Sequence, residues 1–319
     1  MIAVLGAFDG YHRGHQRLLM TAAGLAARSG GQDDWGVVTF SPHPGSVIGG
    51  KRIPVLFTDG ERDILSRYFN VPATLKIAFT EALSGLSPYD FLDYMDDILP
   101  LSGIVVGADF RFGRSREGDA EFLAAEASRR GWSFRAAESL LVGGKKVASS
   151  SIRNHVAHGA MDLAGELLGY PFFFSGTVVR GEARGKKLGF PTANIEYAPE
   201  KILPKRGVYA ASVFADSRWI PGALNIGINP TFHENGSSVR AETHLIDFSG
   251  SLYGRRIAVF IENFLREEER FPSPEILISR MKKDVSKASD LFALAIRSKR
   301  DVYHRMGEIL KGEFEGQNS

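Results

Sequence analysis

The periodicity of apolar residues changes near residue 170, and no other feature constrains the fold of this chain more. Before that point, short apolar runs at 3–5, 36–40, 74–78 and 104–106 alternate with amphipathic stretches, the pattern of strands and helices wound into a parallel sheet. Residues 16–28 read as a helix closed by Gly30 and Gly31, and Ser87-Pro88 supplies an N-cap and first-turn proline for a helix stopped by Pro100. A doubly wound α/β sheet is expected, with ligands beyond the carboxyl ends of its strands. Chemistry should therefore collect in the turns after Leu5, Phe40 and Val106. From Phe172 onward, β-rich segments are broken by glycine, proline and asparagine, with no helix before Ser273. Closure into a small barrel is the expected solution, because it removes exposed strand edges. Helices expected over 274–288 and 298–311 would cover one side of it. The division is expected as a first domain over 1–158, a connecting helix over 159–170 ending near Gly169, and a second domain over 171–319.

A length of 319 residues suffices for two such cores without metals or disulfides. The chain has no cysteine, which removes disulfides, thiolate zinc sites, iron–sulfur clusters and cysteine nucleophiles together. Any metal must sit on oxygen or imidazole. Formal net charge is only +2 and the basic residues are scattered, apart from a mild cluster over 297–305, so no nucleic-acid partner is expected. The first apolar run stops at Gly6, too short for a signal peptide or a membrane span. A cytoplasmic protein acting on small molecules, with neither a membrane nor an obligate protein partner, is the expectation.

After the first apolar run comes Gly6-Ala7-Phe8-Asp9-Gly10-Tyr11-His12-Arg13-Gly14-His15-Gln16, a glycine-rich turn leading into a helix. Free amides and the helix dipole attract phosphate there. His12 and His15, three residues apart at a helix start, would point the same way and could stabilise an in-line attack on phosphorus. Solvated turn histidines, or a zinc site shared with His43, are the alternatives, although H-E-x-x-H spacing is absent. In the second half, Gly181, Gly185 and Gly189 recur at four-residue intervals before Phe190-Pro191-Thr192-Ala193-Asn194. This is not a Walker A loop, because Lys186-Lys187 stand where Lys followed by Ser or Thr would be needed. Thr192 and Asn194, two apart on an extended segment, share one face and offer hard oxygens to magnesium.

The H-x-G-H turn is followed in order by Thr39-Phe40-Ser41-Pro42-His43-Pro44, Gly107-Ala108-Asp109-Phe110-Arg111-Phe112-Gly113 and Ser149-Ser150-Ser151-Ile152-Arg153. Singly these are a rigid turn, a charged loop and a helix cap. Together they resemble the H-x-G-H nucleotidyltransferases, and among them the first half of the bacterial bifunctional riboflavin kinase/FAD synthetases. Ser151 stands where that family has threonine, and Ala7 where many members have asparagine. The run from Gly189 to Asn194 matches the G-F-P-T-A-N motif of riboflavin kinases. The segments 204–209, 225–232 and 242–248 continue the match.

The resemblance implies a Rossmann-like nucleotidyltransferase domain followed by a mainly-β riboflavin kinase barrel with C-terminal helices. It implies a bifunctional enzyme that turns riboflavin and ATP into FMN and ADP in the barrel, then FMN and ATP into FAD and diphosphate in the first domain, with Mg2+. His12 and His15 would stabilise adenylyl transfer, and Glu242 would be the base toward the ribityl 5′-hydroxyl. Gly6, Phe8, Asp9, Gly14, Asp109, Ser150, Ser151 and Arg153 would bind nucleotide in the first domain, and Gly176, Gly181, Gly189 and Pro191 in the second. Pro42, His43, Pro44, Asn229 and Phe232 would meet the flavin, while Thr192 and Asn194 would hold the metal. A kinase with a degenerate first domain and a non-catalytic flavin-binding module are the alternative readings.

Overall fold

The computed structural model describes residues 1–50, 53–181, 185, 188–228 and 239–315. The chain divides into two compact units, Met1–Ser149 and Ser150–Ser319.

In the first unit, β1 (Ile2–Leu5), β2 (Trp35–Ser41), β3 (Thr74–Ala78), β4 (Gly103–Gly107) and β5 (Ser133–Ala137) form a parallel sheet in the order β3-β2-β1-β4-β5. The order reverses between β1 and β4, the position at which such sheets bind ligands beyond the carboxyl ends of their strands. Helices α1 (Arg13–Arg28), α2 (Pro44–Ile48), α3 (Asp59–Tyr68), α4 (Glu81–Ser84), α5 (Pro88–Ile98) and α6 (Ala120–Arg130) make the connections. Helix α1 begins three residues before the expected start because His12 caps it, and α5 starts at Ser87-Pro88 as expected. Strand β5 escaped the sequence reading: it is an edge strand with Ser133, Arg135 and Ala136 exposed, so its apolar run is broken. The core under the sheet joins Leu5, Val38, Phe40, Ile104 and Val106 to Phe91, Met95 and Leu123 from α5 and α6.

The hairpin β6 (Leu141–Val142) and β7 (Lys145–Lys146) precedes α7 (Ser149–Ala157) and α8 (Met161–Leu168), which ends at a left-handed Gly169 (φ 83°). In the second unit, β8 (Phe173–Val179), β9 (Thr192–Glu196), β10 (Gly207–Ala215), β11 (Arg218–Ile228), β12 (Val239–Leu245) and β13 (Arg256–Arg266) close an antiparallel barrel in the order β10-β11-β12-β9-β8-β13. Helices α9 (Pro274–Ser298) and α10 (Arg300–Glu315) cover it. Both differ in extent from the expected 274–288 and 298–311. Nothing between Ala288 and Ser298 breaks the first helix, and the Ser298 hydroxyl donates back to the Leu294 carbonyl at 2.8 Å instead of capping the second.

Helix α10 is locked to the barrel through one buried acid. Glu262 on β13 is 6% exposed and accepts the Ser212 hydroxyl at 3.0 Å and the Lys299 ammonium at 3.1 Å, while the Tyr303 hydroxyl donates to it as well. Trp219 stands edge-on to Tyr303 and donates to its carbonyl at 3.0 Å. Burial pushes the Glu262 pKa above the ordinary 4.5, and Lys299 opposes the shift without cancelling it. A raised folded pKa means that the native state holds the proton more tightly than the unfolded chain, so this group's stabilising contribution is lost as pH rises through the window that begins at 4.5. Glu262→Gln cannot ionise and should not show that loss. The melting temperature of the wild type relative to the variant should therefore fall as pH rises above 4.5, measured by calorimetry on the full chain. Equal pH slopes in the two proteins would show that Glu262 takes up no proton on folding.

Candidate active sites

The turn after β1 is built on left-handed backbone. Phe8 (φ 46°) and Tyr11 (φ 39°) adopt it without being glycine, with Gly10 (φ 111°) between them; such conformations persist only where surrounding contacts over-determine them. Both side chains are buried: Phe8 packs on Tyr11 at 5.1 Å, and Tyr11 stacks on Phe69 at 5.9 Å. Asp9 is 2% exposed, and its carboxylate accepts the amides of Leu56 and Phe57 at 2.8 and 3.1 Å. Its carbonyl accepts the Ser149 hydroxyl at 2.7 Å. The Asp9 carboxylate thus supports the shape of the turn by accepting two buried amides.

His12 closes the turn as the N-cap of α1, its Nδ1 accepting the His15 amide at 3.2 Å. An accepting Nδ1 leaves the proton of a neutral imidazole on Nε2, free to donate. The His15 ring stacks between His12 at 3.7 Å and Phe8 at 4.6 Å. Burial lowers the His12 pKa to about 4, with Lys146 adding repulsion, and lowers His15 well below its ordinary value, with His12 adding repulsion. Both rings are therefore neutral at pH 7. The His15 Nδ1 is buried with no hydrogen-bond partner among the described residues. A side chain at Gly14 would lie 3.1 Å from the His12 ring, so glycine there leaves the pair its room. Gly6 follows β1 directly, its amide donating to the Val38 carbonyl at 3.2 Å.

The turns after β2 and β4 lie at the same end of the sheet. The Ser41–Pro42 peptide is cis, His43 caps α2 by accepting the Gly45 amide at 3.1 Å, and Pro44 is the first helical residue. Asp109 pairs with Lys146 of the hairpin, and that contact holds its carboxyl below the usual range. Lys146 thus brings a cation to both Asp109 and His12, a role that its place in a short polar hairpin gave no reason to suspect. Among the described residues no three His, Asp or Glu side chains gather as a metal site, so His43 does not join His12 and His15 around a zinc. Ser150, Ser151 and Arg153 occupy the first turns of α7.

In the barrel, strand register makes the second site. Glu242 on β12 pairs with Asn194 on β9 and with Asn225 on β11, and His244 pairs with Thr192. Cross-strand partners share a face, so Thr192, Asn194, Glu242 and His244 line up together. Ala193, Ile195, Ala241 and Thr243 between them are buried, which places the polar row on the outer wall. Arg240, two residues along that row, pairs with Glu242 at 3.3 Å, and His244 Nδ1 donates to the Pro191 carbonyl at 2.8 Å. A side chain at Gly181 would collide with the Asn194 amide, and Gly189 needs its left-handed φ of 85°. At Gly176 the corresponding space is filled by the Glu196 backbone, so that glycine serves strand pairing. A cleft of about 810 Å³ opens beside the row, lined in part by Gly181, Asn194, Glu196, Lys201 and Arg240, a size suited to a nucleotide-like ligand. Asn229 and Phe232 lie outside the described residues. The sequence reading missed Arg240, although alternation with Glu242 would have placed it on the same face.

Two family profiles match the chain: FAD synthetase over residues 1–151 and riboflavin kinase over 168–292. A bifunctional riboflavin kinase/FMN adenylyltransferase from Pseudomonas fluorescens is 36% identical over 293 residues, covering 92% of this chain and 93% of the relative. The chain belongs to that family. Its namesake from Escherichia coli K12 is 33% identical over 299 residues, covering 92% of this chain and 93% of the relative, and the one from Listeria monocytogenes is 32% identical over 294 residues, covering 92% of each. In this bifunctional family the FAD synthetase domain comes first and the riboflavin kinase domain second, as in the present chain. A crystal structure described as a macrolide-efflux protein from Streptococcus pneumoniae superposes with a TM-score of 0.81 at 28% identity, covering 89% of this chain and 91% of that one. Among the described residues here, no helix is long and apolar enough to cross a membrane.

The Asp9 contacts yield a test of the turn. Asp9→Ala leaves the Leu56 and Phe57 amides buried without their acceptor. The unfolding free energy should fall by about 1–3 kcal/mol for each amide stranded. Asp9→Asn, which keeps an acceptor oxygen, should lose less. Urea unfolding followed by far-UV circular dichroism measures both; equal stability of Asp9→Ala and wild type would remove the carboxylate from the turn's support.

Proposed function

We propose that the chain makes FAD from riboflavin in two steps at two separate sites, each using ATP. The observation that carries this reading is that each compact unit holds its own polar constellation: the stacked, neutral His12–His15 pair at the start of α1, and the Thr192, Asn194 and Glu242 row on the barrel wall. We assign residues 1–158 to adenylyl transfer, 159–170 to a connecting helix and 171–319 to the kinase, a division supported by the profile matches at 1–151 and 168–292. A cytoplasmic enzyme fits a reaction that draws on ATP twice.

In the kinase, Glu242 accepts the proton of the ribityl 5′-hydroxyl as its oxygen attacks the γ-phosphorus of ATP, and ADP leaves. Arg240 fixes the direction of the carboxylate. Phosphoryl transfer of this kind depends on positioning and on neutralising charge, not on covalent help from the protein. Thr192 and Asn194 present neutral oxygens on one face, and the absence of an acidic cage among the described residues suits an Mg2+ that arrives largely coordinated by phosphate and water. That ion, when bound, would neutralise charge on the nucleotide.

In the first domain, an oxygen of the FMN phosphate attacks the α-phosphorus of ATP and diphosphate leaves. His12 donates from Nε2 and His15 sits beside it, so developing charge meets preorganised donors that carry no charge of their own. Pro42, His43 and Pro44 flank the flavin, while Ser150, Ser151, Arg153 and Asp109 border the nucleotide.

Substituting both His12 and His15 by alanine should lower FAD formation from FMN by at least about 10²-fold while riboflavin phosphorylation continues. FMN would accumulate in a chromatographic product profile, and equal loss of both activities in a folded protein would refute two separate sites. Glu242→Gln should act in the opposite way. Kinase turnover should drop about 10²–10⁴-fold with little change in riboflavin affinity, and conversion of supplied FMN to FAD should persist, since a phosphate oxygen is already ionised when it attacks. Nearly full kinase activity in this variant would return Glu242 to the role of a plain strand residue.

A further inference from the structure

Arg62 is 7% exposed on α3, one residue past a capping box made by Thr58 and Glu61. A guanidinium is not buried without compensation, because its charge must be met by acceptors. Here one terminal nitrogen donates to the Ala7 carbonyl at 2.9 Å and to the Thr39 hydroxyl at 3.1 Å. The other donates to the Phe40 carbonyl at 3.3 Å and pairs with Asp59. The Thr39 hydroxyl itself donates to the Ala7 carbonyl at 2.9 Å, so Ala7, Thr39 and Arg62 form a closed set. Asp59 extends the set further by accepting the Ser41 hydroxyl at 2.7 Å.

These acceptors are not scattered. Ala7 is the residue between Gly6 and the strained Phe8, in the turn that carries His12 and His15. Phe40 and Ser41 lead directly into Pro42, His43 and Pro44. One buried planar fork therefore ties the turn after β1 to the turn after β2. Strand pairing already joins β1 to β2 up to Leu5 and Val38; the Arg62 contacts begin where that ladder ends. A packing role alone would be met by an apolar side chain of similar volume, without the charge.

We propose that Arg62 is a positioning residue for adenylyl transfer, holding the nucleotide turn and the flavin turn in one register so that the FMN phosphate meets the ATP α-phosphorus in line. The proposal rests on the adenylyl-transfer reading of the first domain. In that step a bond forms between an FMN phosphate oxygen and the α-phosphorus while the bond to the bridging oxygen breaks, and diphosphate takes the electron pair. Arg62 touches neither reactant. It acts through two turns, one for each, and in-line geometry is sensitive to their relative displacement: a shift of about 1 Å is worth on the order of 10²-fold in rate. Lysine keeps the charge but gathers its three donors on one nitrogen and cannot reproduce a fork directed at Ala7, Thr39, Phe40 and Asp59 together.

The test uses the full chain with FMN, ATP and Mg2+, and measures kcat and KM for FAD formation. Arg62→Lys should lower kcat by about 10²-fold while KM for ATP and for FMN each stay within about threefold, because each turn still binds its own reactant. Riboflavin phosphorylation should be unchanged. In Arg62→Ala, added guanidinium should restore part of kcat. Asp59→Asn, which leaves the guanidinium in place but weakens its anchor and the Ser41 contact, should lower kcat by less, again without moving KM. An unchanged kcat in Arg62→Lys overturns the proposal, as does a rise in both KM values with kcat preserved. If Arg62→Lys does not fold, an unchanged kcat in Asp59→Asn overturns it instead. A wild type that makes FMN but no FAD overturns the adenylyl-transfer reading, and this proposal with it.

Discussion

Strands β1 and β4 are buried on both faces, with Ile2, Ala3, Val4, Leu5, Ile104, Val105 and Val106 all nearly inaccessible to water. A polar side chain has no place along such a strand, so the first domain can put chemistry only where the strands end. The barrel obeys the same rule with a different outcome. Its strands β9 and β12 bury alternate residues and leave the others on the outer wall, so chemistry there runs along the strands. Which strand faces are buried decides that one site is made of turns and a helix terminus, and the other of a row of side chains.

A site made of turns has a difficulty that a strand row does not. Its backbone groups lie beyond the sheet ladder and must be satisfied by other means. Asp9 supplies acceptors for Leu56 and Phe57, and Arg62 supplies donors for Ala7 and Phe40. With those groups paired and Phe8 and Tyr11 held by aromatic contacts, the turn can afford left-handed residues and a pair of buried imidazoles. Burial keeps both imidazoles neutral, so each carries one N–H and no net charge. The same desolvation acts on Glu262 in the barrel with the opposite sign, since burial favours the neutral form of an acid as well as of a base. There it serves the attachment of α10.

The H-x-G-H turn, the Pro42-His43-Pro44 segment and the run from Gly189 to Asn194 were legible in the sequence because each is local: a few residues carry the turn geometry and the chemistry together. So were the central strands of the sheet, the cap at Ser87 and the β-rich second half, all of which follow from apolar periodicity and chain punctuation. Strand β5 was not, because an edge strand need not be apolar. The true lengths of α9 and α10 were not, because Ser298 can cap a helix or bond back within one, and the choice is made by packing against the barrel.

Arg62, Lys146 and Arg240 carry no signal of their own in the sequence, and Asp9 enters only as one of the nucleotide-turn residues that the resemblance implies. The roles of Arg62, Lys146 and Asp9 depend on partners far along the chain: Ala7 lies 55 residues from Arg62, Asp109 lies 37 from Lys146, and Leu56 lies 47 from Asp9. Residue type and spacing by themselves determined that this chain winds a parallel sheet, closes a barrel, lacks thiol chemistry and carries a turn suited to phosphate after its first strand. Only the tertiary structure decided that Asn194 faces Glu242 across a β9–β12 pair, that His12 and His15 stack in a desolvated turn, and that one guanidinium spans two loops. Local pattern encodes what a segment tends to be, whereas register and burial are set by the closing of the whole sheet or barrel. A charge acquires its meaning only when its surroundings have excluded water.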